Sequence, residues 1–320
     1  MTQIRPIFLF LLVVFFGCKD SKYTKKEQAE KIVVTKPTVS FTFDDGNTSN
    51  LAGFQFEEWN KMILSTLENE NLKSVFFVTG KNKSDKKGQF LLKSWNDNGH
   101  KIANHSFSHP YFNSEKNDSH LFESELIKTD AIISNLSNSV KLFRFPYLKE
   151  GQNPSKVDSI RNILANNDYK NGYVTIDASD WYVDQRLITR IKKVGIEKTE
   201  IDVFRDFYVQ HIMERANYYE KLSMELNGRH INHTLLLHHN LTSALFLDDL
   251  INKFKKEGWE LIDADKAYED KIFEKIPDPN FAGESLIYSK AKQSGKYGES
   301  LRYPAEDGRY EKTRMNELGL

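Results

Sequence analysis

The chain has 320 residues and a mass of 37.2 kDa, enough for one large domain with additions or for two small ones. Hydrophobic residues at 39% and charged residues at 28% exclude a disordered chain, a collagen-like repeat and a polytopic membrane protein. Lys plus Arg and Asp plus Glu both number 45, so no global field draws nucleic acid. The single Cys excludes an intramolecular disulfide and a four-Cys zinc site, leaving any metal to His, Asp or Glu.

Residues 1–18 read as an export signal. Arg5 supplies a positive start, and Ile7 to Phe16 is an apolar run of ten. That is too short to cross about 30 Å of hydrocarbon but suits the apolar core of a signal peptide. The run ends in Gly17-Cys18, which resembles the lipobox of bacterial lipoproteins and implies lipidation of Cys18. A lipid anchor there would hold the protein at the bacterial cell envelope, on the periplasmic face or the outer surface. Residues 19–36 are polar and Lys-rich and read as a tether to the folded body.

The body alternates strand-like and helix-like runs. A first predicted strand, Val39–Phe43, leads into Asp44-Asp45-Gly46. Adjacent carboxylates after an apolar strand need neutralising, and alternation lets one hold a cation while the other stays free as a base. Asp-Asp-Gly is equally the composition of an ordinary surface turn. A helix is predicted over Glu57–Glu70 and a strand over Val75–Thr79. The strand Lys101–Asn104 leads into His105 and His109. Two His four apart fall on one side of a helical turn and can reach one metal. Together with Asp45 they make two His and one carboxylate, a catalytic zinc or iron set with open positions.

A helix over Leu121–Leu136 precedes the strand Leu142–Phe145, whose Arg144 needs a nearby anion or a route to solvent. A helix over Ser155–Asn166 precedes the strand Tyr173–Asp177, which leads to Asp180-Trp181. Residues 182–230 are charged, aromatic and helical in spacing, like an insertion. The strand Thr234–His238 ends in His238-His239, and the helix Leu245–Glu257 and strand Glu260–Ile262 follow. Residues 276–320 show no clear strand and suggest an irregular surface path. Strands alternating with helices imply an α/β fold with parallel pairing and a site at the carboxyl ends of the strands.

TFDDG, HSFSHP, RFPY, DASDW and LLLHH, in that order, resemble the five motifs of the polysaccharide deacetylases, the family 4 carbohydrate esterases with the NodB-homology fold. The resemblance covers about residues 37–275. It implies a distorted (β/α) barrel, with the helical insertion and C-terminal tail outside the motifs. It also implies one divalent metal, with zinc expected, and an acetylated glycan as substrate. By matching position, Asp44 would be the general base, and Asp45, His105 and His109 the metal ligands. Arg144 would hold the base, and the Tyr147 N–H would bind the oxyanion. Asp180 would pair with the catalytic His, Trp181 and Leu236 would wall the acetyl pocket, and His238 would be the general acid. His239 stands beside it as the other candidate, and strand alternation favours His238. The activity implied is removal of N-acetyl groups from N-acetylhexosamine residues. O-acetyl hydrolysis of a xylan-type glycan and a non-catalytic glycan-binding lipoprotein are the alternatives.

Overall fold

The computed structural model describes residues 35–81, 83–301 and 308–320. The export signal, Cys18 and the tether as far as residue 34 lie outside the described residues. In chain order, β1 (Thr38–Asp45) leads to α1 (Phe56–Asn69), β2 (Val75–Val78), α2 (Lys86–Asp97), β3 (Lys101–Asn104) and α3 (Ser119–Ile133). There follow β4 (Ser139–Phe143), α4 (Pro154–Asn166), β5 (Lys170–Asn171), α5 (Asp180–Val194) and α6 (Ile201–Asn227). Last come β6 (Asn232–His238), α7 (Leu241–Lys256), β7 (Glu260–Leu261), α8 (Ala264–Ala267), α9 (Leu286–Ser294) and α10 (Arg309–Glu317).

Every strand pairing is parallel, in the order β5-β4-β3-β2-β1-β6, with β7 also on β1. Parallel neighbours need long crossovers, and helices fill most of them. β1 is central and buried on both faces, as such sheets require. Val39, Phe41 and Phe43 face the helical layer, where α1 and α2 supply Trp59, Ile63, Leu67, Leu91 and Trp95. Phe76 of β2 stacks on Phe43 at 5.1 Å and on Trp95 at 4.2 Å. The alternate residues Ser40 and Thr42 turn inward, and their hydroxyls donate to the His233 and Leu235 carbonyls at 2.9 and 2.8 Å.

The fifth predicted strand differs. Its regular part is Lys170–Asn171 on β4, and Ile176 makes only an isolated parallel bridge to Leu235. Backbone bonds make this bridge, Ile176 N–H donating to the Thr234 carbonyl at 3.0 Å and Leu236 N–H to the Ile176 carbonyl at 3.0 Å, and side-chain hydroxyls add to them. Thr175 N–H donates to Thr234 Oγ1 at 3.2 Å, and Thr234 N–H donates to Thr175 Oγ1 at 2.8 Å. Residues 170–176 thus run from the β4 edge to the β6 edge and curl the sheet into a (β/α) half-barrel. Gly172 is required in this passage, because a Cβ would come within 2.4 Å of the Phe77 ring.

Residues 182–230 form most of α5 and all of α6. Tyr208 and Tyr219 on α6 are fully buried, so they pack rather than offer a sugar-stacking surface. The described part of residues 276–320 combines short turns with α9 and α10, and Leu286, Ile287, Ala291 and Met315 join the main core. Among the described residues, no helix is long and apolar enough to cross a membrane.

Candidate active site

The carboxyl ends of β1, β3, β4 and β6 meet in one cleft of about 320 Å³. Asp44 continues the inward-facing row of Ser40 and Thr42 and is 2% exposed. Its Oδ1 accepts from Arg144 Nη1 at 2.7 Å. Arg144 is itself fully buried. It also donates to the Gly172 carbonyl at 3.0 Å, Thr42 Oγ1 at 2.8 Å and Tyr268 Oη at 2.8 Å, and it lies over the Phe77 ring. Of the two sequence readings, the buried anion partner is the one observed. This guanidinium compensates the buried carboxylate and fixes its orientation.

Asp45 is the next residue but has left-handed backbone, φ 79°, and its side chain is 43% exposed toward the cleft. Such a conformation costs a non-glycine residue roughly 1 kcal/mol or more and persists where surrounding contacts impose it. Here the Asp45 carbonyl accepts from Thr79 N–H at 3.1 Å and Thr79 Oγ1 at 2.9 Å. Both carboxylates thus line the cleft, each 3.7 Å from His105 Nε2, because the left-handed turn at Asp45 breaks the strand alternation that would send it to the Phe43 face.

His105 and His109 do converge, but not on a helical turn. The segment between them is a loop with positive φ at Ser106 (65°) and His109 (59°). Buried polar side chains build it. Asn104 Oδ1 accepts from Ser106 N–H at 2.9 Å, and Ser106 Oγ accepts from His109 N–H at 3.1 Å. Glu125, reaching across from α3 and 3% exposed, accepts from the Phe107 and Ser108 N–H groups at 2.9 and 2.5 Å. Each histidine Nε2 lies 3.7 Å from Asp45 Oδ1.

These three donors suit a divalent metal. One ligand atom from each of Asp45, His105 and His109 lies within 4.8 Å of the others. His105 Nδ1 donates to the Arg144 carbonyl at 2.8 Å, which leaves Nε2 to face the carboxylate with its lone pair. Burial, then the neighbouring His105, lowers the His109 pKa to about 4, so this ring is neutral and also has a lone pair to give.

Beside Asp44 in the β1–β6 register, His238 lines the same cleft from the end of β6. Its Nδ1 donates to Asp180 Oδ1 at 2.7 Å, and its backbone N–H donates to Asp180 Oδ2 at 2.8 Å. Asp180 is fully buried in the first turn of α5. Burial opposes the His238 cation, but Asp180, with Asp45 and Asp44, outweighs it and lifts the pKa to about 10. His239 points the opposite way, into the helical layer, against Trp59 and Trp95. It donates to Asn60 Oδ1 at 2.9 Å, and burial, then Lys83, drops its pKa to about 3. His239 is a neutral core residue, and only His238 reaches the cleft.

Tyr147, Trp181 and Leu236 line the same cleft. Tyr147 follows Pro146 in left-handed backbone, φ 57°, and among the described residues no backbone hydrogen bond engages its N–H. Its ring is half exposed and packs edge-on against His109 at 4.7 Å and Tyr111 at 5.6 Å. Tyr111, Glu125 and Tyr268 escape sequence reasoning. Tyr111 has a local signal, since it follows the His105–His109 motif directly. Glu125 and Tyr268 reach the site from α3 and from just after α8.

Residues 31–172 match the family model described as polysaccharide deacetylase. Over that stretch the chain is similar to the polysaccharide deacetylases. A curated relative, the peptidoglycan-N-acetylglucosamine deacetylase of Bacillus cereus, is 32% identical over 130 residues, which is 40% of this chain and 43% of the relative. The chain spans less than half the length of that relative. A solved polysaccharide deacetylase from Bacillus cereus superposes with TM-score 0.51 at 23% identity, covering 71% of this chain and 92% of its own. A family 4 carbohydrate esterase pseudoenzyme from Bacillus anthracis superposes with TM-score 0.50 at 21% identity, covering 73% and 66%. These likenesses show the NodB-type (β/α) barrel. A fold shared with a pseudoenzyme carries no activity by itself, so the chemistry rests on the side chains.

Proposed function

We propose that the chain is a metal-dependent hydrolase that removes acetyl groups from a glycan, and that its substrate is the N-acetyl group of N-acetylhexosamine residues. The observation that carries this reading is two proton-transfer groups in one cleft, each fixed by its own buried partner. Asp44 is held by Arg144, and His238, its register partner on β6, is held by Asp180. The Asp45–His105–His109 set lines the same cleft. A divalent metal bound there, zinc in this proposal, would polarise the acetyl carbonyl and acidify a water.

The chain's own groups supply the remainder. Asp44 takes a proton from the attacking water as the oxygen bonds to the carbonyl carbon. The Tyr147 N–H donates to the oxygen on which negative charge develops. His238 gives its proton to the sugar nitrogen as the C–N bond breaks, leaving acetate and a free amine. Leu236 and Trp181 are the walls assigned to the acetyl methyl. The Tyr147 and Tyr111 rings at the rim offer apolar faces to a sugar. The B. cereus relative's named substrate, peptidoglycan N-acetylglucosamine, supports the amide reading. Residues 1–18 support placing the enzyme at the cell envelope on a lipid anchor at Cys18.

Acetate release tests the substrate reading. The zinc-loaded chain should release acetate from an N-acetylglucosamine oligomer and not from acetylated xylan. Release from xylan alone would establish the esterase reading instead.

The Asp180 contact sets the pH dependence. Because the His238 pKa is raised, its cation persists through neutrality and is lost as pH climbs toward about 10. The His238–Asp180 pair accordingly contributes full stability below the unfolded value near 6.5 and loses it as pH rises through about 10. A bound metal adds positive charge and draws that upper value down. Asp180→Asn should shift the alkaline limb of the kcat profile to lower pH. An unmoved limb would mean that another group donates the proton.

A further inference from the structure

The Asp180–His238 pair is held from behind, through Ser179 of the same motif, by His211 and Glu311, which lie outside the five motifs. Asp180 opens α5, and Ser179 precedes it, fully buried. The Ser179 N–H donates to His211 Nε2 on α6 at 3.3 Å. His211 is 3% exposed, and its other nitrogen, Nδ1, lies 3.6 Å from Glu311 Oε1. Glu311 belongs to α10, is 2% exposed, and also accepts from Arg215 Nη2 of α6 at 3.0 Å. Burial, then Arg215 and Arg314, lowers the His211 pKa to about 3, so the ring is neutral and has two possible tautomers. Only the tautomer protonated on Nδ1 can accept from Ser179. The Glu311 carboxylate faces that nitrogen and favours the same tautomer.

We infer that α10 acts as a positioning strap: Glu311 fixes the His211 tautomer, His211 holds the Ser179 amide, and so the first turn of α5 keeps Asp180 against His238. This rests on the deacetylase reading only for the meaning of the His238 contact. The linkage assigns a task both to the long helical segment and to the C-terminal extension. Replacing Glu311 by an apolar residue would remove the carboxylate that faces the buried Nδ1–H, and with it the electrostatic preference for that tautomer. The ring would then turn over or shift, and in either case it would release Ser179.

The test uses full-length, 15N-histidine-labelled protein and three variants. In the wild type, His211 should carry its proton on Nδ1 by NMR, and the His238 Nδ1 proton should be protected from exchange. Glu311→Leu should lose both signatures. Its kcat should fall about tenfold with KM unchanged, the low end of what losing an outer partner costs. Glu311→Gln keeps an acceptor without the charge, so it should retain the tautomer and hold kcat within about twofold of wild type. His211→Phe should match Glu311→Leu. A wild-type His211 protonated on Nε2 would overturn the inference even if Glu311→Leu fails to fold. So would a folded Glu311→Leu with an unchanged His238 proton. If both Glu311 variants merely lower Tm, α10 is only a stabilising element and the inference falls. The NMR outcomes stand even if no glycan yields acetate, so failure of the functional reading is distinguishable from failure of the strap.

Discussion

Asp44→Asn should leave the metal bound and lower kcat by at least about a hundredfold, the lower bound for loss of a positioned general base. The substitution is nearly isosteric. The amide oxygen it introduces can still accept from Arg144, which Gly172, Thr42 and Tyr268 also hold in place. The fold and the neighbouring Asp45–His105–His109 set therefore remain, while the group able to take a proton from water is gone. Single-turnover kinetics with a metal count on the same sample would check this. A variant with full metal and near wild-type turnover would remove Asp44 from the base role and leave Arg144 without a catalytic purpose.

The largest expected stability effect lies at Arg144. Arg144→Met leaves the Asp44 carboxylate 2% exposed and without its compensating charge. Breaking a buried pair from one side costs roughly 3–5 kcal/mol. For a domain of this size, that corresponds to a Tm loss on the order of 10 °C. The double variant Asp44→Asn, Arg144→Met should recover part of it, because no uncompensated charge is then buried. Thermal unfolding of the three variants closes the cycle. Strict additivity would mean that the 2.7 Å contact contributes nothing beyond its separate parts.

The residues that proved legible are those whose role is carried by local pattern. The alternation of Val39, Phe41 and Phe43 with Ser40, Thr42 and Asp44 defines β1 and turns Asp44 inward, whereas Asp45 reaches the same cleft through a left-handed turn that alternation does not foresee. The same alternation separates His238 from His239. The His105–His109 spacing led to the right cluster through the wrong local geometry. A loop held by Asn104, Ser106 and Glu125 does what a helical turn was expected to do. Glu125 and Tyr268 had no local signal, because each reaches the site from an element distant in sequence. His211 and Glu311 lie on helices far apart in the chain and meet only through helix packing. α2 was missed because its apolar face is short and interrupted by Gly88, and α10 because Met315 is its only buried apolar residue. The fifth strand was misplaced because its regular pairing is confined to Lys170–Asn171 on β4, with a single bridge at Ile176 to β6.

The central claim is that Asp45, His105 and His109 hold one metal on which acetate release depends. The most direct measurement pairs zinc titration with acetate release from an N-acetylglucosamine oligomer, for wild type and His105→Ala. The wild type should bind one zinc, lose activity on chelation and regain it when zinc returns. His105→Ala should lose both binding and activity while keeping its fold. Undiminished acetate release from metal-free protein, or full zinc binding by His105→Ala, would contradict the claim.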